Sequence, residues 1–213
     1  FVVFCLLILI NGSNFIDGLN SLLLGYFIII LYIFFKLDLL SQVGLNKNDI
    51  YFLFSILLAI LFLNYFNFLF LGDSGSYLIG FFLSYFLISI YNLNSNSLSP
   101  YFIIVLVWYP CFENLFSIIR KKINQVSPTK ADYKHLHQLI FIFFQNKLDL
   151  KKKYLNSIVS ILINLFNLCV LYTASLHYND SIYQLAILFS SIVIYLILYF
   201  FLSMKIKSAF IKK

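Results

Sequence analysis

The stretch 182-IYQLAILFSSIVIYLILYFFLSM-204 decides the fold class. It carries no charged side chain, and as a helix rising 1.5 Å per residue it is roughly 35 Å long, enough to cross a hydrocarbon core of about 30 Å. Its apolar residues run on continuously, without the ten-residue alternation of a membrane β-barrel, so strands are disfavoured. Six further apolar runs, at 1–10 (short), 19–35, 50–70, 77–91, 101–119 and 154–176, extend the pattern along the chain. The runs at 77 and 101 are near the short limit for a span. Composition agrees: 62% of the 213 residues are hydrophobic and 11% charged, with a mean hydropathy of +0.93, where an ordinary soluble domain is about 25% charged. The expectation is an all-α integral membrane protein, a polytopic helical bundle of about seven transmembrane helices forming a single domain over residues 1–213.

The cysteines Cys5, Cys111 and Cys169 lie in or beside these runs and show no metal-ligand or disulfide spacing, so they read as structural. Residues 1–10 lack the basic flank and small-residue cleavage site of a signal peptide. The chain begins Phe-Val-Val and its one methionine is Met204, which suggests a piece of a longer protein.

Charge supplies an orientation. Of the 15 Lys and Arg, nine fall between Arg120 and Lys153 and four follow Met204. By the positive-inside rule the basic loop 120–153 and the C-terminal tail are cytoplasmic, with two spans between them. Counting back, 92–100 is outside, 72–76 inside, 36–49 outside and 11–18 inside. Three polar segments then share the cytoplasmic face.

The first, 11-NGSNFIDGLN-20, places Asn11, Asn14 and Asp17 on one face if it is helical. Two carboxamides and a carboxylate suit hydrogen bonding to a nucleobase or ribose, although a polar turn broken by Gly12 and Gly18 has the same composition. The second, 72-GDSGS-76, sets Asp73 between two glycines, with Ser74 or Ser76 available to cap a helix starting near Tyr77. An ionised Asp at membrane depth costs at least about 2.5–3.5 kcal/mol. A hard cation such as Mg²⁺, shared with substrate phosphates, would offset that cost. In the third, Glu113 and Arg120 lie seven apart on one helix, and a loop follows with Lys130, Asp132, Lys134, His135 and His137. Two histidines at i, i+2 make a poor zinc pair on a helix, and cationic and imidazole donors around a phosphate are the better reading. His177, beside an expected external turn, is assigned no role.

Together these segments resemble the polyprenyl-phosphate N-acetylhexosamine-1-phosphate transferase superfamily, glycosyl transferase family 4. NGSNFIDGLNSL is similar to its N-A-x-N-x-x-D-G-x-x-G-L, and FLGDSGSYLIG to its F-x-G-D-x-G-S-x-x-L-G. WYPCFENLFSIIRKK resembles a helix with proline, acid and arginine, and SPTKADYKHLHQL the loop S-P-F-x-P-D-R-x-H-x-H-H. The His-Leu-His form is closer to the branch that loads N-acetylglucosamine 1-phosphate onto undecaprenyl phosphate than to the peptidoglycan branch with three adjacent histidines. Ala131, Tyr133, Gln138, Glu113 and Ser21 depart from the pattern, Ser21 standing where a glycine is expected. The family's adjacent aspartate pair has no counterpart, as if the chain held the C-terminal two-thirds or so of a family member.

The resemblance implies a catalytic domain that transfers an N-acetylaminosugar 1-phosphate from a UDP-sugar to polyprenyl (undecaprenyl) phosphate. UMP leaves, and the lipid-linked sugar initiates cell-surface polysaccharide synthesis. It implies catalytic roles for Asp73, His135 and His137, substrate binding by Asn11, Asn14, Asp17, Arg120 and Lys134, and Asp73 as ligand of Mg²⁺, or Mn²⁺ in its place. The implied partners are the UDP-sugar, the polyprenyl phosphate lipid, the membrane and, as an option, a second copy in a homodimer, with no nucleic acid. The implied location is the bacterial inner membrane, with the active site on its cytoplasmic face. The competing readings are an ion-coupled membrane transporter, which would place ionisable groups near the bilayer midplane, and an inactive fragment of the transferase.

Overall fold

The computed structural model describes residues 2–125, 127 and 134–211, and every regular element among them is a helix. In chain order these are α1 (Val2–Ile16), α2 (Leu22–Lys36), α3 (Leu39–Gln42), α4 (Lys47–Tyr65), α5 (Gly72–Leu93), α6 (Pro100–Leu106), α7 (Trp108–Ile123), α8 (Leu136–Gln145), α9 (Lys152–Leu176) and α10 (Ser181–Ile211). Each of the seven apolar runs seeds helix, but unequally. Four helices are long and apolar enough to cross a membrane: α4, α5, α9 and the Ser181–Ile206 part of α10. The runs at the start of the chain give shorter helices, α1 and α2, of 15 residues each.

The 101–119 run, expected as one span, is two helices meeting at 74°. Pro110 explains the break. It has no N–H, so the Leu106 carbonyl four residues back loses its helical donor. The Tyr26 hydroxyl of α2 donates to that carbonyl instead, at 3.0 Å. An unpaired carbonyl in hydrocarbon costs several kcal/mol, so this one buried phenol stabilises the bend.

α1 lies between α5 and α7, and small residues set both distances. Lipid tails are as apolar as leucine, so helices in a membrane associate through close backbone approach rather than through hydrophobicity. A Cβ added at Gly12 would stand 2.5 Å from the Pro110 carbonyl oxygen of α7. One added at Gly80 of α5 would stand 3.0 Å from the Ile10 Cα. Ser76, Gly80 and Ser84, four residues apart and all buried, form the stripe of α5 that receives α1. α2 packs on α9, and α10 on α6 and α8.

The bundle has two polar ends. At one, Asn94 Nδ2 donates to Gln42 Oε1 at 2.6 Å, the Ser99 amide donates to the Tyr178 carbonyl at 3.0 Å, and the Ser99 and Ser181 hydroxyls pair at 2.9 Å. The loops 37–46, 94–99 and 177–180 therefore meet there, in the alternation that the charge pattern gives. The loops 17–21 and 66–71 meet at the opposite end with the start of α9, and the candidate site is built from them.

Candidate functional site

α1 stops at Ile16 and α4 at Tyr65, and the two turns that follow face each other across a cavity of about 360 Å³. Asn14, Asp17, Gly18, Asn20, Asn64, Gly72 and Asp73 supply its polar and glycine lining. Asp73 is exposed, in the first turn of α5, where free N–H groups and the helix dipole favour a carboxylate. This helix starts at Gly72, earlier than the expected start near Tyr77. Neither Ser74 nor Ser76 caps it: the N-cap position is Leu71, without a side-chain cap, and the Ser76 hydroxyl donates back to the Asp73 carbonyl at 3.0 Å. Gly72 turns the chain into α5 with φ 61°, a left-handed value that glycine takes without a Cβ penalty.

Asp17, one residue past α1, is pushed up to about 7, by burial first and then by the Asp73 charge. The two carboxylates, 56 residues apart in sequence (73 − 17), thus sense each other in one cavity. Asn14 Nδ2 donates to the Tyr77 hydroxyl at 3.0 Å, which joins the end of α1 to the first turns of α5. Tyr77 was not singled out from sequence; its position four residues after Asp73, on the same helical face, was the available signal.

Amides hold the cavity walls. Asn20 Nδ2 donates to Asn67 Oδ1 at 2.8 Å and the Asn20 amide to Asn156 Oδ1 at 3.0 Å. The Ser21 amide donates to Asn64 Oδ1, Asn64 Nδ2 to the Leu69 carbonyl at 2.8 Å, and Asn164 Nδ2 to the Ser21 carbonyl at 3.1 Å. Ser21, at φ 67°, sits in left-handed backbone, which accounts for the glycine in the resembling motif. Sequence reading also missed Asn64, Asn67, Asn156 and Asn164, whose only signal was a carboxamide at or within an apolar run.

Of the trio expected on one face, Asn14 and Asp17 reach the cavity and Asn11 does not. Asn11 is exposed and its Nδ2 donates one turn back to the Leu7 carbonyl at 2.9 Å. Arg120 and Lys134 come together away from the cavity lining. Arg120 Nη1 donates to the Lys134 carbonyl and, at 2.6 Å, to the Tyr199 hydroxyl, while Nη2 donates to Ser117 Oγ at 3.3 Å. The guanidinium so ties α7 to α10 and to the approach to α8. Lys130, Asp132, Ala131 and Tyr133 lie outside the described residues.

His135 and His137 are not among the residues lining the cavity, and His137 adjoins it at Gly18. Both are buried, at 4% and 0% exposure. His135 Nδ1 is 3.0 Å from Glu113 Oε1, the same oxygen that accepts the Leu136 amide at 3.3 Å. Its ring stacks on Phe15 at 5.3 Å and on His137 at 5.6 Å. His137 reaches Gly18: a Cβ there would stand 2.6 Å from His137 Nε2. Burial pushes His137 down to about 4, with His135 adding to the effect and Glu113 opposing it, so the ring is uncharged at neutral pH. His177 packs edge-on against Tyr183 at the other end of the bundle. Among the described residues, no group of three or more His, Cys, Asp or Glu converges as a metal set.

Fold and site define a polytopic helical membrane protein with two acids facing one polar cavity. Residues 1–91 match the family model of glycosyl transferase family 4, which supports a glycosyl-phosphate transferase of that superfamily. The match is less than half of the chain. It contains Asn14, Asp17, Asp73 and Tyr77, and stops before Glu113, Arg120 and the histidines. No curated protein and no solved structure matches the chain.

Proposed function

We propose that the protein transfers an N-acetylaminosugar 1-phosphate from a UDP-sugar to polyprenyl phosphate on the cytoplasmic face of a bacterial inner membrane, releasing UMP. The observation that carries this reading is the cavity itself. Asn14, Asp17 and Asp73 come from two separate segments, meet at helix ends rather than mid-bundle, and fall inside the family match. A site at a helix end suits a reaction between a soluble nucleotide sugar and a lipid phosphate.

The cavity's donors fit Mg²⁺ or Mn²⁺: carboxylate and amide oxygens without thiolate or imidazole in the lining. Asp17 held up near 7 by burial and by Asp73 marks a place where positive charge would be favoured. Asp73 would hold the ion, whose chemistry is to neutralise charge on the phosphoryl oxygens. Asn14 and Asp17 hold the nucleotide by hydrogen bonds. An oxygen of the lipid phosphate attacks the sugar-linked phosphorus, the bond from that phosphorus to the oxygen bridging to the UMP phosphorus breaks, and UMP leaves with the bridging oxygen. Of the histidines, His135 is assigned to phosphate or sugar, since Glu113 engages its Nδ1 and Nε2 is the ring's other polar atom, and His137 to its support.

The test is UMP release from labelled UDP-N-acetylglucosamine and related UDP-sugars, with undecaprenyl phosphate in nanodiscs. Asp73→Asn should lower metal-dependent turnover at least 100-fold while membrane insertion is retained. Near-normal turnover in Asp73→Asn would remove Asp73 from the site.

A further inference from the structure

We propose that Glu113 is the positioning residue of the histidine segment: it fixes the His135 imidazole with its proton on Nδ1 and docks the start of α8 onto α7. The kinetic part of this inference rests on the transferase reading; its structural part does not.

Glu113 is 1% exposed, and a carboxylate so buried is costly unless it accepts hydrogen bonds. One oxygen, Oε1, takes both that geometry offers it, from His135 Nδ1 at 3.0 Å and from the Leu136 amide at 3.3 Å. An acceptor-only oxygen facing Nδ1 sets the tautomer, leaving Nε2 as the ring's remaining polar atom. Leu136 is the first residue of α8, so the same oxygen meets one of the free N–H groups of a helix start. Oε2 makes no hydrogen bond of ordinary geometry among the described residues, although the buried Tyr195 hydroxyl of α10 stands near the carboxylate; the two Oε1 contacts are the hydrogen bonds that the side chain makes.

The ring is also clamped on its faces, by Phe15 of α1 and by His137 of α8. Beside Glu113, Asn114 Nδ2 donates to the Ile8 carbonyl of α1 at 3.2 Å, which sets α7 against α1. Phe15 adjoins Asn14 in the chain, so the turn of α1 that offers a carboxamide to the cavity offers an aromatic face to His135. Glu113 thereby gives the imidazole one orientation relative to the cavity.

The chain has three histidines, so ¹⁵N imidazole resonances of the full chain in nanodiscs are assignable by single substitution. The wild type should show His135 protonated on Nδ1, and an Nε2-protonated His135 overturns the proposal without any variant. Glu113→Leu should convert His135 to the other tautomer or a mixture and leave the His177 resonances in place. Glu113→Gln, which keeps an acceptor oxygen, should restore the wild-type pattern. In turnover, Glu113→Leu should lower kcat at least tenfold with KM within threefold, and combined with His135→Ala it should cost no more than His135→Ala alone. Unchanged tautomers in Glu113→Leu, or effects that multiply in the double variant, would show that Glu113 only fills space. Absence of UMP release from the wild type would sink the transferase reading and leave the tautomer measurement to decide Glu113 by itself.

Discussion

The cavity and the histidine seat lie back to back, yet they are built on opposite terms. Asp73 stands exposed at a helix start and shares its cavity with a half-buried Asp17. His135 and His137 are sealed between α1, α7 and α8, one fastened to Glu113 and the other uncharged. The first arrangement leaves carboxylates open to the cavity. The second spends its polar contacts inward. Residue types that look equally reactive in sequence thus sit in two settings, acids open to a polar cavity and imidazoles packed among helices.

Gly18 is where the two regions touch, and Gly18→Ala is the largest break. Its Cβ would stand 2.6 Å from Nε2 of a stacked, buried ring, an overpacking of about 1–3 kcal/mol. The thermal midpoint in nanodiscs should fall by roughly 2–10 °C, and His137→Ala should recover most of the loss. A double variant no better than Gly18→Ala alone would mean that the glycine is needed for another reason.

His137→Asn sharpens the contrast through pH. The folded state holds the imidazole near 4 against an ordinary 6.5, so between those values the unfolded chain binds the extra proton. The stability from keeping the ring neutral is fully present above 6.5 and is lost as pH falls through 4, by about 3 kcal/mol over the window. The wild-type melting temperature should drop more steeply than that of His137→Asn between pH 7 and pH 4. Parallel curves would show a hydrated or paired ring.

Two substitutions at the cavity wall have smaller effects. Tyr77→Phe removes one hydrogen bond to Asn14, worth about 1 kcal/mol, so UMP release should fall about fivefold with insertion unchanged. No change would make the contact incidental. Ser21→Gly should raise the melting temperature slightly, because relief of a left-handed backbone residue, about 1 kcal/mol, outweighs a long 3.4 Å hydroxyl contact to Asn64. A lower melting temperature would assign the larger weight to that hydroxyl.

Which of these features the sequence disclosed follows from their range. Glycine-flanked acids are rare in greasy runs, so Asp17 and Asp73 stood out, and the two-ended alternation of loops could be counted from the lysines. Pro110 was equally visible, but the bend it makes depends on Tyr26, a partner far away in the chain. The histidine seat was not legible, since a basic loop reads the same whether its imidazoles meet solvent or pack on Phe15. The amide network was hidden for the same cause: Asn64, Asn156 and Asn164 join it through partners 43 to 143 residues distant.

Those distances also order events in time. The Asn20 amide waits for Asn156, 136 residues later, and the Ser21 carbonyl for Asn164, 143 residues later. At about 5–20 residues per second of synthesis, the interval is on the order of 10 s. For that time the loop bearing Asp17 sits beside a nascent bundle with neither bond made. The cavity walls are complete only when α9 arrives, so a chain halted before Asn156 would hold both cavity acids and the amide contacts among residues 14–77 but neither bond from α9.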